Sequence, residues 1–174
     1  MVKGFSLTTQ SPVLLLSKSM SYKTKYFLFF VLLITFVRVI NAQQANQGTG
    51  EFTISSTVLD IMGETDAPSF ANKISITDPI EWEVYVPQNY DPRKASGILV
   101  FINSRNNGKI EEEWKVVMEN TNLIYIGANN SGNDIAIAQR VAYAIIAPRL
   151  INNTYYIDPD RIYVSGFSGG SRVA

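Results

Sequence analysis

Arg161-Ile162-Tyr163-Val164-Ser165-Gly166-Phe167-Ser168-Gly169-Gly170 is the stretch that decides the fold of this 174-residue chain. Its first half is β-branched and aromatic, as a buried strand should be. Its second half, Gly166-Phe167-Ser168-Gly169-Gly170, is a Gly-x-Ser-x-Gly sequence. At a strand end this pattern reads as a nucleophile elbow, with the serine on a tight strand-to-helix turn and its hydroxyl exposed. The flanking positions must be tiny, because neighbouring backbone comes close and the serine takes an uncommon φ/ψ. Asp158-Pro159-Asp160 ahead of the strand is turn chemistry, and Gly170 to Ala174 behind it opens a helix. In a chain with 11 glycines the bare pattern is a weak signal; the order strand, elbow, helix strengthens it. The same residues also fit a glycine-rich loop of a Rossmann-like unit in which Ser168 has no role. The chain contains no histidine, so the usual base for activating such a serine is not among its residues.

Working outward, the chain alternates strand and helix. Phe52 to Ile61 reads as a first strand and Gly63 to Asn72 as a loop. Ile80 to Val86 places Ile, Trp and Val in alternation with Glu81, Glu83 and Tyr85, which predicts a strand with one buried face. Gly97-Ile98-Leu99-Val100-Phe101-Ile102 is continuously apolar, the mark of a central parallel strand buried on both faces. Asn103 to Gly108 is a polar loop. Ile110 to Asn120 carries Trp114, Val117 and Met118 at helical spacing, with Glu111, Glu112 and Glu113 favouring the first turn. Leu123 to Ala128 is a further buried strand, followed by the loop Asn129-Asn130-Ser131-Gly132-Asn133. Asp134 to Leu150 is helical, with Pro148 ending or kinking it. Five strands result. The first two, with no helix between them, are expected to form an antiparallel edge hairpin, and the rest a parallel sheet with right-handed crossovers. Strand 161–165 is expected to lie beside Leu123–Ala128 with nothing on its far side.

The formal net charge is zero, but residues 1–42 hold five of the fifteen basic groups (Lys3, Lys18, Lys23, Lys25, Arg38) and no acid. The remainder is acidic, which argues against a nucleic-acid binder. Without cysteine or histidine, disulfides and the usual zinc sites are excluded; no cofactor is expected. Tyr26 to Val37 is a twelve-residue apolar run preceded by Lys23 and Lys25 and followed by Asn41-Ala42. A positive segment, a short apolar segment and a small residue at the cut describe a secretory signal peptide over residues 1–42. The run is short for a membrane span, which needs ~20 residues; an uncleaved anchor is the alternative. Met20 fits as the true start, with residues 1–19 an over-extended gene model. Residues 43–50 read as a flexible polar leader and 51–174 as part of one domain. Export places the protein in the cell envelope, the periplasm or the medium.

Three stretches carry a resemblance: Trp82-Glu83-Val84-Tyr85-Val86-Pro87-Gln88-Asn89-Tyr90, Gly97 to Ile102, and Ile157 to Gly170. Together they resemble the α/β-hydrolases, in particular secreted esterases of the polyhydroxybutyrate-depolymerase-like and feruloyl-esterase-like group. The resemblance implies a three-layer α/β sandwich with a mostly parallel sheet, truncated here after the nucleophile elbow. It implies a serine hydrolase of carboxylic esters, small or polymeric, with Ser168 as nucleophile. The oxyanion hole would use the N–H of Gly169 and a second N–H from the loop after the third strand, at Asn103 or Ser104. In that family the acid and the histidine follow the serine in sequence, so the chain as given is expected to be an inactive N-terminal part. The competing readings are a non-catalytic exported binding or scaffold protein of the same fold, and a membrane-anchored structural protein.

Other residues have both a chemical and a structural reading. Asp158 and Asp160 are a carboxylate pair or a turn; Glu111 to Glu113 a cation site or a solvated helix start. Asn129 to Ser131 line the substrate cleft or cap the next helix. Lys109 offers a Ser–Lys dyad without a supporting motif. Trp82 and Trp114 read as core residues.

Overall fold

In a computed structural model of the chain, residues 21–31 and 48–174 are described. Two units are present, Met1–Asn46 and Gln47–Ala174. Of the first, residues 22–31 form a helix with exposed Tyr26, Phe27, Phe29 and Phe30. The rest of the proposed signal peptide, and residues 43–47 of the leader, lie outside the described residues. No helix among the described residues is long and apolar enough to cross a membrane.

The second unit contains five strands, β1 (Gly50–Ser56), β2 (Ile80–Val86), β3 (Ser96–Ile102), β4 (Leu123–Ala128) and β5 (Ile157–Gly166). Its helices are α1 (Val58–Asp66), α2 (Glu112–Thr121) and α3 (Ile137–Asn152). The sheet order is β1-β2-β4-β3-β5. β1 and β2 are antiparallel, as are β2 and β4, while β3 runs parallel to both β4 and β5.

Alternation along the central strands divides the core into two. Ile98, Val100, Ile124, Ile126, Trp82 and Val84 face α1 and α3, packing with Val58, Ile61, Ala142, Ile146 and Ile151. Tyr85, Tyr125, Leu99 and Phe101 face the other way and meet Met118 of α2. The result is a helix–sheet–helix sandwich. From β3 the chain moves outward to β4; from β4 it returns across β3 to β5. Right-handed crossovers running in opposite directions put their helices on opposite faces, as α2 and α3 are. β3 and β4 therefore meet at the topological switch point, and the crevice beyond their carboxyl ends is where such sheets bind ligands.

Several expectations are corrected. The first strand ends at Ser56, because Thr57 and Asp60 form a capping box that starts α1: Asp60 N–H donates to Thr57 Oγ1 at 3.0 Å. α1 and the 3-10 turn Ala67–Phe70 replace the predicted loop, so the two edge strands are antiparallel neighbours but not a simple hairpin. α1 is interrupted at Gly63, whose φ is +76°. β2 is buried on both faces, not one. Glu83 is 7% exposed, and it accepts from Asn129 Nδ2 at 2.7 Å and from Thr53 Oγ1 at 3.3 Å. Gly50 is not part of a leader: it is buried at the start of β1, and Tyr155 donates its hydroxyl proton to the Gly48 carbonyl, two residues earlier, at 2.7 Å. Trp82 is core at 1% exposure, but Trp114 is 38% exposed and meets the Phe101 ring edge to face. α3 begins at Ile137 and continues past Pro148 to Asn152. β5 starts at Ile157, not Arg161; Asp158-Pro159-Asp160 produces a bulge in the strand where the register against β3 shifts. Finally, β5 pairs with β3, not with Leu123–Ala128, and among the described residues no strand lies on its outer side.

Candidate active site

β5 ends at Gly166 and the chain turns sharply over the next four residues. Phe167 is still extended, and its N–H donates to the Ile102 carbonyl at the end of β3, at 3.0 Å. Ser168 is then forced into the left-handed region with φ +54°. For a residue with a Cβ that conformation costs roughly 1–2 kcal/mol, so the surroundings must impose it. Gly170 N–H closes the turn by donating to the Phe167 carbonyl at 2.8 Å, and the Ser171 hydroxyl donates to the Ser168 carbonyl at 2.5 Å. The segment Ser168–Arg172 is a 3-10 turn rather than the α-helix expected after an elbow.

Two of the flanking glycines are dictated by space. A Cβ on Gly166 would stand 2.5 Å from the Gly170 backbone, whereas one on Gly169 would meet the Asn133 amide, which can swing away. A Cβ on Gly170 would stand 1.9 Å from the Ile102 carbonyl oxygen. A strained serine, exposed at the carboxyl end of a strand and enclosed by obligatory glycines, is the geometry of a nucleophile elbow. An idle glycine-rich loop gives no reason for the strain.

Two other loops are bound to this turn. The loop after β3 is braced from within: Asn103 Nδ2 donates to the Asn107 carbonyl at 2.8 Å, and Arg105 N–H to Asn103 Oδ1 at 3.2 Å. It is joined to the loop after β4 by Asn133 N–H donating to the Ser104 carbonyl at 3.0 Å and Gly132 N–H donating to Asn106 Oδ1 at 2.7 Å. Arg140, in the first turn of α3, completes the assembly. Its Nη2 donates to the Asn103 carbonyl at 2.8 Å, and its Nη1 lies 3.5 Å from both the Gly169 carbonyl and Asn133 Oδ1. A peptide's C=O and N–H point in opposite directions, so fixing the Asn103 carbonyl also fixes the direction of the Ser104 N–H. Neither the Ser104 nor the Gly169 N–H donates to another group among the described residues.

Ser168 and Gly169 line a cavity of about 390 Å³ with Asn133, Ile135, Ile137, Arg140 and Arg172. A second cavity of about 390 Å³ is lined by Phe101, Asn103, Trp114 and Phe167. The structure ties the Asn103–Ser104 loop to Gly169 through Asn133 and Arg140, which sequence reasoning did not assign to the site; Asn103 lines the second cavity, and neither it nor Ser104 lines the Ser168 cavity. Asn129 to Ser131 have a different task from either expected one. Asn129 bridges the Gly108 N–H, at 2.9 Å, to Glu83, while the Ser131 hydroxyl donates to the Ala128 carbonyl; the residue preceding α3 is Ala136, with no side-chain cap. Lys109 is not in the Ser168 cavity. Among the described residues no group of three His, Cys, Asp or Glu side chains is placed to hold a metal; Glu112 pairs with Lys115 instead.

This architecture is the α/β-hydrolase fold. The chain is similar to the structure of an S-formylglutathione hydrolase from Agrobacterium tumefaciens, with a TM-score of 0.51 and 14% identity over 74% of this chain and 53% of that one. Similarity also extends to an acetyl xylan esterase from Aspergillus awamori (TM-score 0.47, 15% identity, 69% of this chain and 44% of that one). A third is the esterase Est2 from Thermogutta terrifontis (TM-score 0.43, 20% identity, 58% and 40%). The chain therefore spans about half, or less, of the length of the solved structures it resembles. No protein-family model and no curated protein matches it.

Proposed function

We propose that this chain carries the nucleophile and oxyanion-hole half of a serine hydrolase acting on carboxylic esters. The left-handed backbone of Ser168 between sterically obligatory glycines is the observation that carries the reading. In the reaction, Ser168 Oγ attacks the ester carbonyl and the developing oxyanion sits against two N–H groups, those of Gly169 and of Asn103 or Ser104. Arg140 supports the Ser104 donor through the Asn103 carbonyl. A serine hydroxyl is a weak nucleophile until a base takes its proton, and the chain has no imidazole; the proposal places the base outside these residues. The structural similarity to an S-formylglutathione hydrolase supports the fold on which this chemistry is common.

The test is p-nitrophenyl butyrate hydrolysis by the protein encoded by the whole reading frame, compared with Ser168→Ala. Turnover should fall by about 10³-fold or more in the variant. Equal turnover would overturn the assignment. A folded protein without turnover would favour the second reading, a non-catalytic binding protein of the same fold.

Export belongs to the same proposal. It is supported by the charged, apolar and small-residue order of residues 1–42. N-terminal sequencing of exported protein should begin near Gln43, and a mature terminus upstream of Tyr26 would mean an anchor instead.

A further inference from the structure

Arg140 is 3% exposed, yet it forms no ion pair among the described residues. Its partners, the Asn103 and Gly169 carbonyls and the Asn133 amide oxygen, are all neutral, and its Nε has none. A buried charge without a counter-charge carries a desolvation cost that an arriving anion can offset. The cavity it lines points to the same conclusion. Among the described residues its charged walls are Arg140 and Arg172, no carboxylate lines it, and Ser168 opens into it beside the apolar Ile135 and Ile137. A neutral substrate would leave the buried Arg140 without a counter-charge beside the reacting serine. An ester whose acyl chain ends in a carboxylate matches all three features: its carbonyl lies at Ser168, its methylenes lie against the isoleucines, and its charge meets the guanidinium groups in a charge-assisted contact.

We propose that the Ser168 cavity recognises the carboxylate of an anionic ester, with Arg140 and Arg172 as specificity-determining residues. This rests on the reading of Ser168 as the nucleophile, but binding can be measured without chemistry. The experiment is calorimetric titration of the Ser168→Ala form of the whole protein. The probes are monomethyl succinate and methyl butyrate, which differ mainly in one carboxylate. The anion should bind about tenfold more tightly than the neutral ester, and its advantage should shrink as salt is raised. Arg172 is exposed, so Arg172→Gln should leave the fold intact and reduce the advantage about threefold. Arg140→Gln should abolish it; if that variant does not fold, Arg172→Gln alone decides. Equal binding of the two esters, an advantage unchanged in Arg172→Gln, or monomethyl succinate binding no tighter than sulfate would each overturn the proposal. Loss of esterase activity in the intact enzyme would not bear on these titrations. An enzyme that turns over esters while failing to prefer the anion would overturn this inference alone.

Discussion

Ile102 and Gly170 touch backbone to backbone: a single added carbon on Gly170 would stand 1.9 Å from the Ile102 carbonyl oxygen. That oxygen is already the acceptor for the Phe167 N–H, so it cannot move away without releasing the elbow. Gly170→Ala should therefore cost about 3 kcal/mol, the upper range for overpacking, read from the urea midpoint of the protein. Ser171→Ala, one residue along and exposed, loses one hydroxyl hydrogen bond and should cost about 1 kcal/mol or less. Similar midpoints for the two variants would show that the contact is slack.

Ser168 has the opposite prospect. Its φ of +54° suits glycine better than serine. Ser168→Gly should raise stability by about 1 kcal/mol, while Ser168→Ala, which keeps the Cβ, should leave it nearly unchanged. Thermal melts of the three proteins compare them directly. A less stable glycine variant would mean that the serine backbone is not strained.

This chain by itself should show negligible ester turnover. Removing the base of a serine triad leaves only the residual rate that the oxyanion hole and substrate binding supply. p-Nitrophenyl acetate hydrolysis should be within about twofold of the Ser168→Ala control. A robust rate that depends on Ser168 would reveal a base of another kind.

Alkaline pH should destabilise the fold. Burial, with help from the Glu119 hydrogen bond, pushes the Tyr85 hydroxyl up to about 12 from 10.0; burial does the same for Tyr155, helped by Tyr90. An unfolded chain releases both protons near pH 10, while the folded one keeps them until about 12. The folded state thus holds more protons across that window, and each step upward in pH favours unfolding. The contribution is complete below pH 10 and disappears as pH rises through 12. Melting temperatures at pH 9 and pH 11 should show the fall, and Tyr85→Phe should flatten it. An unchanged slope in Tyr85→Phe would assign the effect elsewhere.

The outer side of β5 should bring copies of this chain together. Ile162, Tyr163 and Val164 are 41%, 47% and 46% exposed, on an edge strand with free backbone groups. Such an edge is a template for pairing with another chain. Size-exclusion chromatography of residues 48–174 should show species larger than a monomer, and Tyr163→Lys should shift them toward monomer. A monomer with a sharp melting transition would refute the prediction.

How far the sequence could be read depended on what kind of contact each residue makes. Ile80–Val86 and Leu123–Ala128 match their strands end to end, because a buried strand imposes apolar residues locally. The tight turn around Ser168 was legible for the same reason: its demands fall on five consecutive residues. The first strand was overextended because Val58, Leu59 and Ile61 continue its apolar pattern, while the stop is a single reciprocal pair, Thr57 with Asp60. β5's neighbour was misassigned because chain order does not state that α3 carries the chain back across β3. Arg140 left no signal. Its partners are chiefly backbone carbonyls, which any sequence provides, and one arginine in a helix is ordinarily a solvated residue.

The loops after β3, β4 and β5 share carbonyls, amides and one guanidinium rather than each being braced separately. For an engineer seeking new selectivity, they are one design variable instead of three. A library that diversifies Asn106 while holding 132–133 and 168–170 constant would lose the amide oxygen that the Gly132 N–H needs, whereas the Asn103 and Ser104 carbonyls survive a change of side chain. Libraries that exchange the three segments together, as matched sets, are the ones from which altered binders should emerge.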